Sequence, residues 1–288
     1  MSSSRLSSPR RGLLARLRRS PLVRNPVYLT ATVVVVVIVL LGLLAPVVAP
    51  FGPNQTDLAN ALAPASSHHW FGTDKQGRDI LSRIIWGTRP ALLSALLVVG
   101  LSALLGVPLA VVGGFFGGAV DAVINRAWDV LLSIPPLLLA FVAVTLFGGG
   151  IVNAVLSLSI AYTPLIARVV RSLVLREREM TYVEAAGAIG ATTPRILASH
   201  VLPNIMTPIL VQSSVNLAYA LLDLSALSYL GLGIQPPTAD WGAMLSSGRE
   251  YLLISPNVAL ASGFAIMVTV VAFNLLSDGL KKAFEPKR

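Results

Sequence analysis

The chain has 288 residues, of which 55% are hydrophobic and 12% charged, with a formal net charge of +9. That balance is too apolar and too poor in charge for an ordinary soluble domain and points to a multi-span membrane protein. The basic residues lie beside hydrophobic runs rather than on an aromatic-studded surface, which argues against nucleic acid as a partner, and the lack of cysteine removes disulfides, thiol nucleophiles and thiolate metal sites.

Residues 1–26 form an arginine-rich tail in which Arg5, Arg10, Arg11, Arg16, Arg18, Arg19 and Arg24 occur with no acid among them. By the positive-inside rule this tail is expected to be cytoplasmic. The first transmembrane helix follows at 27–50; no small-x-small site follows its long apolar run, so it is expected to stay uncleaved.

Residues 51–89 are expected to form a long extracytoplasmic loop that contains "HHWFGTDKQGRDILSRIIWGTRPAL". One reading places Trp70, Phe71 and Trp86 at headgroup depth, with Asp74, Lys75, Arg78 and Asp79 in water. The other makes Asp74, Gly77, Arg78 and Asp79 part of a docking or gating surface, because a loop of this length is commonly functional. His68 and His69 lack a third ligand, so no metal site is predicted.

A five-helix core is expected over 90–281, with further spans near 91–113, 120–147, 151–174, 205–232 and 257–280. Arg126 and Asp129, three apart on the third span, can pair on one face, and Asp121 lies one turn below Asn125. Pro135 and Pro136 are expected to break that span, and Pro164 the fourth; broken helices of this kind line cavities in transporters, although kinked packing would look the same. Asp223, deep in the fifth span, is open to two readings: a pathway or interface residue, or an acceptor for a neighbouring helix. The tail at 282–288, with Lys282, Lys287 and Arg288 after Lys281, returns to the side of the N-terminus.

Between the fourth and fifth spans lies the loop 176–204, flanked by Arg168, Arg171, Arg176, Arg178 and Arg195 and therefore expected to be cytoplasmic. Its "EAAGAIGATTPRILASHVLPN" predicts a helix through Glu184, a turn at Gly190, and a second short helix capped by Thr192 or Thr193 with Pro194 first. That second helix is expected to stop at Pro203. Small residues beside the turn admit a close-packed partner, so the segment reads as a docking element.

The same stretch resembles the EAA loop of ABC importer permeases, whose pattern is EAA, x3, G, x9, I, x, L, P. Glu184, Ala185, Ala186, Gly190, Leu202 and Pro203 match in register, and His200 stands at the Ile position. "FGTDKQGRDILSRIIWGTR" and "LDLSALSYLGLGIQPPTADWGAML" resemble the C-type permease subunit of dipeptide, oligopeptide and nickel importers. The resemblance implies an all-α membrane protein with six transmembrane helices, a type I ABC importer permease fold and a cytoplasmic EAA coupling helix. It implies that Glu184, Ala185, Ala186, Gly187, Gly190, Leu202 and Pro203 couple the chain to an ATPase. The implied partners are a second, B-type permease, two cytoplasmic ATPase subunits or domains, an extracytoplasmic solute-binding lipoprotein and the lipid membrane. ATP and Mg would be bound by the ATPases, with no cofactor and no catalytic residue in this subunit.

Independently of that resemblance, the chain has no lysine between Lys75 and Lys281 and hence no P-loop. A stand-alone secondary carrier would need more intramembrane carboxylates, and an embedded enzyme a paired acid and base; neither pattern is present, and the EAA register argues against both and against a pure scaffold. Peptides are the expected substrate class, with nickel and other small solutes left open, as is a homodimer of permeases.

Overall fold

The computed structural model describes residues 24–284. The predictions for Arg5, Arg10, Arg11, Arg16, Arg18, Arg19, Lys287 and Arg288 lie outside the described residues.

The described residues are helical, with one isolated bridge between Thr73 and Asp79. The first span is α1 (Pro26–Leu43), which begins where the Asn25 side chain accepts from the Val27 N–H at 2.9 Å. Valine and leucine surround it on all sides, as a lipid-facing helix requires. It breaks at Leu44 before the short α2 (Ala45–Val48), where Pro46 has no N–H to offer the Gly42 carbonyl. Arg89 supplies the missing donors, Nε to the Gly42 oxygen at 2.6 Å and a terminal nitrogen to the Leu43 oxygen at 2.9 Å.

The second span, α3 (Ile80–Phe116), starts well before residue 91 and takes up the last quarter of the predicted loop. Its cap is Asp79, whose carboxylate accepts from the Ser82 N–H at 2.7 Å. At about 1.5 Å per residue it is about 55 Å long, against a hydrocarbon core of about 30 Å, so its first turns lie in the loop layer. The third span is a bent pair, α4 (Gly118–Leu132) and α5 (Pro136–Phe147), meeting at 83° where Pro135 and Pro136 were expected to break it. By contrast the fourth, α6 (Ile151–Arg178), runs unbroken through Pro164, which is buried with Thr163 and Ile166 in the packed body. The expected break there is therefore corrected: tight packing holds the helix across the missing hydrogen bond.

After α6 come α7 (Thr181–Ala188) and α8 (Thr193–Ile196), then a π-helical turn at Leu197–Val201 and α9 (Leu202–Tyr229). The expected stop at Pro203 is also corrected, since the helix continues from Thr193 to Tyr229. The widened π turn ahead of Pro203 accommodates a ring that an unbroken α-helix would push against the preceding carbonyl. Thr192 is the N-cap of α8, but its side chain makes no capping bond. Short α10 (Trp241–Arg249) and the last span, α11 (Asn257–Phe284), complete the fold. Among the described residues five helices are long and apolar enough to cross a membrane, and the bent pair, taken as one span, makes a sixth.

α3 and α6 run side by side, joined where Ser102 Oγ reaches the Ser159 carbonyl at 3.0 Å. Small residues permit this approach: a Cβ on Gly106 would stand 2.9 Å from the Thr163 carbonyl. One core cluster joins Ala95, Val98, Leu158, Leu221, Leu227 and Trp241 near the long loop. A second joins Val170, Val174, Val183, Ile196, Val201 and Ile205 at the opposite end, so the EAA loop is packed onto the body rather than hanging from it.

Candidate functional site

The EAA loop divides into a buried and a bare side. Val183 and Ala186 of α7 turn inward against Val170 and Val174 of α6, as do Ile196 and Val201 beyond the turn. Glu184, Ala185, Gly187, Ala188 and Gly190 are exposed, and between them Ile189 presents 86% of its surface. Leu202 is half-buried against the same core, while Pro203 is exposed. Gly190 has φ +84°, the left-handed conformation that turns the chain from α7 to α8 and that a side chain would strain. The result is a projecting apolar knob with small shoulders.

A polar cluster braces the loop from behind. The Tyr182 hydroxyl donates to the Glu177 carboxylate and accepts from Asn204 Nδ2 at 3.0 Å, tying α7 to the ends of both flanking spans. Burial, then the neighbouring Glu177 carboxylate, push the Tyr182 phenol up from its ordinary value. His200, at the Ile position of the pattern, stacks on the Tyr182 ring with centroids 6.3 Å apart. An imidazole thus supplies the packing surface that the pattern assigns to isoleucine.

Within the spans, Asp223 accepts from the Tyr162 hydroxyl at 2.9 Å, joining α9 to α6. Arg126 and Asp129 do not pair with each other. Arg126 stays exposed, while Asp129 meets Arg168 of α6 at 3.0 Å, because α6 passes alongside α4 within reach of the carboxylate. Asp121 does hold Asn125, at 2.7 Å, and also receives a two-pronged contact from Arg171 at 2.6 and 2.5 Å. Pro135 is exposed and Pro136 half-buried at the bend.

On the opposite face the long loop is a folded unit. Asp74, Arg78 and Asp79 are buried rather than in water, which corrects the first reading of this segment. Asp74 accepts from the Gln76 and Arg78 N–H groups at 2.8 and 3.0 Å and from Arg78 Nε at 2.7 Å. Asp79 caps α3 and meets His69 Nδ1 at 2.9 Å. Gly77 has φ +72°, and a Cβ there would stand 1.7 Å from the Asp57 carbonyl oxygen. These four residues therefore hold the loop's shape, and any docking surface consists of what they support.

Arg83, which the sequence did not single out, links this unit to the rest of the face. Its guanidinium donates to the Pro53 carbonyl at 2.6 Å and Asn54 Oδ1 at 3.2 Å, and lies 3.5 Å from the Pro237 carbonyl. Asp240 nearby caps α10 through the Ala243 N–H at 2.9 Å; burial outweighs its hydrogen bonds and raises its carboxyl from the usual value. Arg89, Tyr162 and Arg171 were likewise missed as partners. The available signal was an arginine or tyrosine inside an apolar run, which must find a carboxylate or carbonyl.

Residues 106–288 match the family model described as "Binding-protein-dependent transport system inner membrane component", and residues 12–65 match the "N-terminal TM domain of oligopeptide transport permease C". The chain is 38% identical to a probable D,D-dipeptide transport system permease protein of Escherichia coli K12, over 91% of this chain and 88% of the relative. It is 36% identical to a dipeptide transport system permease protein of Alkalihalophilus pseudofirmus, over 92% and 87%. A glutathione transport system permease protein of Pectobacterium atrosepticum is 38% identical, over 92% and 88%. Among solved structures, a chain of the inward-facing MetNI methionine ABC transporter matches with a TM-score of 0.56 at 19% identity, covering 69% of this chain and 94% of that one. The last match speaks for the fold alone. With its six candidate spans and its EAA register, the chain belongs to the family of binding-protein-dependent transport system inner membrane components, as a multi-pass ABC transporter permease.

Proposed function

We propose that this chain forms part of the translocation pathway of an ATP-driven importer of short peptides, and that its EAA loop is where a cytoplasmic ATPase engages it. The observation that carries this reading is the bare side of the loop, where Ile189 projects between Glu184, Ala185, Gly187 and Gly190 on an otherwise well-packed segment. An isoleucine left 86% exposed among small residues suits insertion into an apolar cleft on another protein. Because α7 and α8 share a core with α6 and α9, displacement of the loop is passed directly to two spans.

ATP and Mg belong to the partner ATPases, since this chain has no P-loop. A second permease subunit completes the pathway, and a solute-binding lipoprotein delivers substrate to the face that carries the long loop. The positive-inside rule puts the EAA loop and both chain ends in the cytoplasm. The substrate class follows from the relatives' names, which specify D,D-dipeptides, dipeptides and glutathione, all short peptides.

Mass spectrometry of the tagged chain purified from its native membrane in mild detergent tests the assembly. Recovery of an ATPase, a second permease and a lipoprotein carrying a short peptide is expected. Recovery of the chain alone under several mild detergents would remove the basis for the proposal.

A further inference from the structure

α1 and α11 lie against each other, but their seam is not closed. Toward the EAA-loop face it opens into a groove of about 510 Å³ lined by residues that include Val27, Thr30, Val34, Val271 and Leu275. Val27 and Val271 in this lining are each 50% exposed. The groove lies along two spans, so its apolar walls sit at bilayer depth.

Its mouth is cationic. Lys282 Nζ stands 5.2 Å from the centroid of the Tyr28 ring, which brings the end of α11 against the start of α1, next to Val27. Lys281 precedes it, and Arg24 lies just before Pro26, itself part of the lining. All three cations are exposed, and Asp278 is the one acid in the last two turns of α11. The larger groove at the other end of the seam, about 630 Å³, is bordered instead by Trp70, Phe71 and Asn257.

We propose that the groove between α1 and α11 binds an anionic phospholipid, one acyl chain along the seam and the phosphate at Arg24, Lys281 and Lys282. Such a lipid answers both halves of the site, the apolar channel and the basic mouth, in the way basic clusters between spanning helices hold acidic headgroups. Its assignment to the cytoplasmic leaflet rests on the orientation proposed above, whereas binding itself requires only the bilayer.

The test is native mass spectrometry of the full chain, with whatever subunits accompany it, delipidated and then titrated with phosphatidylglycerol or phosphatidylcholine. Phosphatidylglycerol is expected to be retained at least tenfold more tightly. Combining Arg24→Ala with Lys281→Ala is expected to weaken it by roughly fivefold per cation removed and to leave phosphatidylcholine unchanged. Val27→Trp, which fills the groove from an exposed position, is expected to weaken both lipids. Equal retention of the two lipids, indifference to these variants, or loss of all lipid because a second permease covers the seam would each overturn the proposal. Retention by the isolated chain would stand even if no ATPase co-purified, so the two proposals fail separately.

Discussion

Gly187 offers a way to perturb docking without perturbing the chain. It lies inside α7, and a Cβ built on it meets no atom within 4 Å. Replacement by leucine therefore creates no internal clash, and the higher helix propensity should favour α7 by about 0.5 kcal/mol, less than the glycine-to-alanine difference in a helix interior. If an ATPase packs onto the small shoulders of the loop, the added side chain instead overfills that contact, at about 1–3 kcal/mol. This corresponds to a loss of roughly 5- to 150-fold in affinity. The assay is a titration of the detergent-purified permease with its ATPase, alongside thermal melting of the permease and peptide-stimulated ATP hydrolysis in proteoliposomes. A graded decline from Ala to Leu to Trp is expected, with melting temperatures at or above that of the unmodified chain. Gly187→Trp binding the ATPase and supporting transport as the unmodified chain does would refute the reasoning, because none of the described residues shields that position.

Glu184→Arg should likewise uncouple uptake from ATP hydrolysis while the protein still inserts, measured as ATPase activity that no longer responds to peptide. Asp79→Ala removes the α3 cap and the partner of His69, and should lower stability by about 1–2 kcal/mol in a thermal or denaturant melt. Gly77→Ala should be worse, since the left-handed backbone alone costs about 1–2 kcal/mol and the contact with the Asp57 carbonyl adds to it; poor recovery of folded protein is the expected readout. For Asp223, replacement by Asn keeps an acceptor for Tyr162 and should preserve assembly, whereas Asp223→Ala should impair it. Normal assembly of Asp223→Ala in a pull-down would make that contact dispensable.

Much of this architecture was legible because long apolar runs and arginine asymmetry report directly on a bilayer. Pro135 and Pro136 announced the bend between α4 and α5 for the same local reason that any helix loses a hydrogen bond at proline. Pro164 and Pro203 gave the same signal and were misread. In one case burial, and in the other a π turn, absorbs the lost bond, and neither is written in the local sequence. The EAA loop was visible as a register of small residues, but its division into an inward Val183 and Ala186 and an outward Ile189 depends on contacts with α6. The long loop was the least legible part. Asp74, Arg78 and Asp79 look like water-facing charges until the partners contributed by the chain's fold, His69 and the backbone N–H groups, are seen around them. Arg83 and Arg89 were hidden for the same reason, since their acceptors are backbone carbonyls about 30 and 47 residues away.

The central claim is that the bare side of the EAA loop meets an ATPase, and the chain contains no cysteine to complicate a direct test. A single cysteine placed at Ile189, in complex purified from the native membrane, should form an adduct with the ATPase under a short thiol-to-amine crosslinker. A matched cysteine at Leu253, which is fully exposed between α10 and α11, should form no such adduct. If Ile189→Cys yields no ATPase adduct, or reacts with impermeant reagents added only from outside intact cells, the loop does not face the ATPase and the account is contradicted.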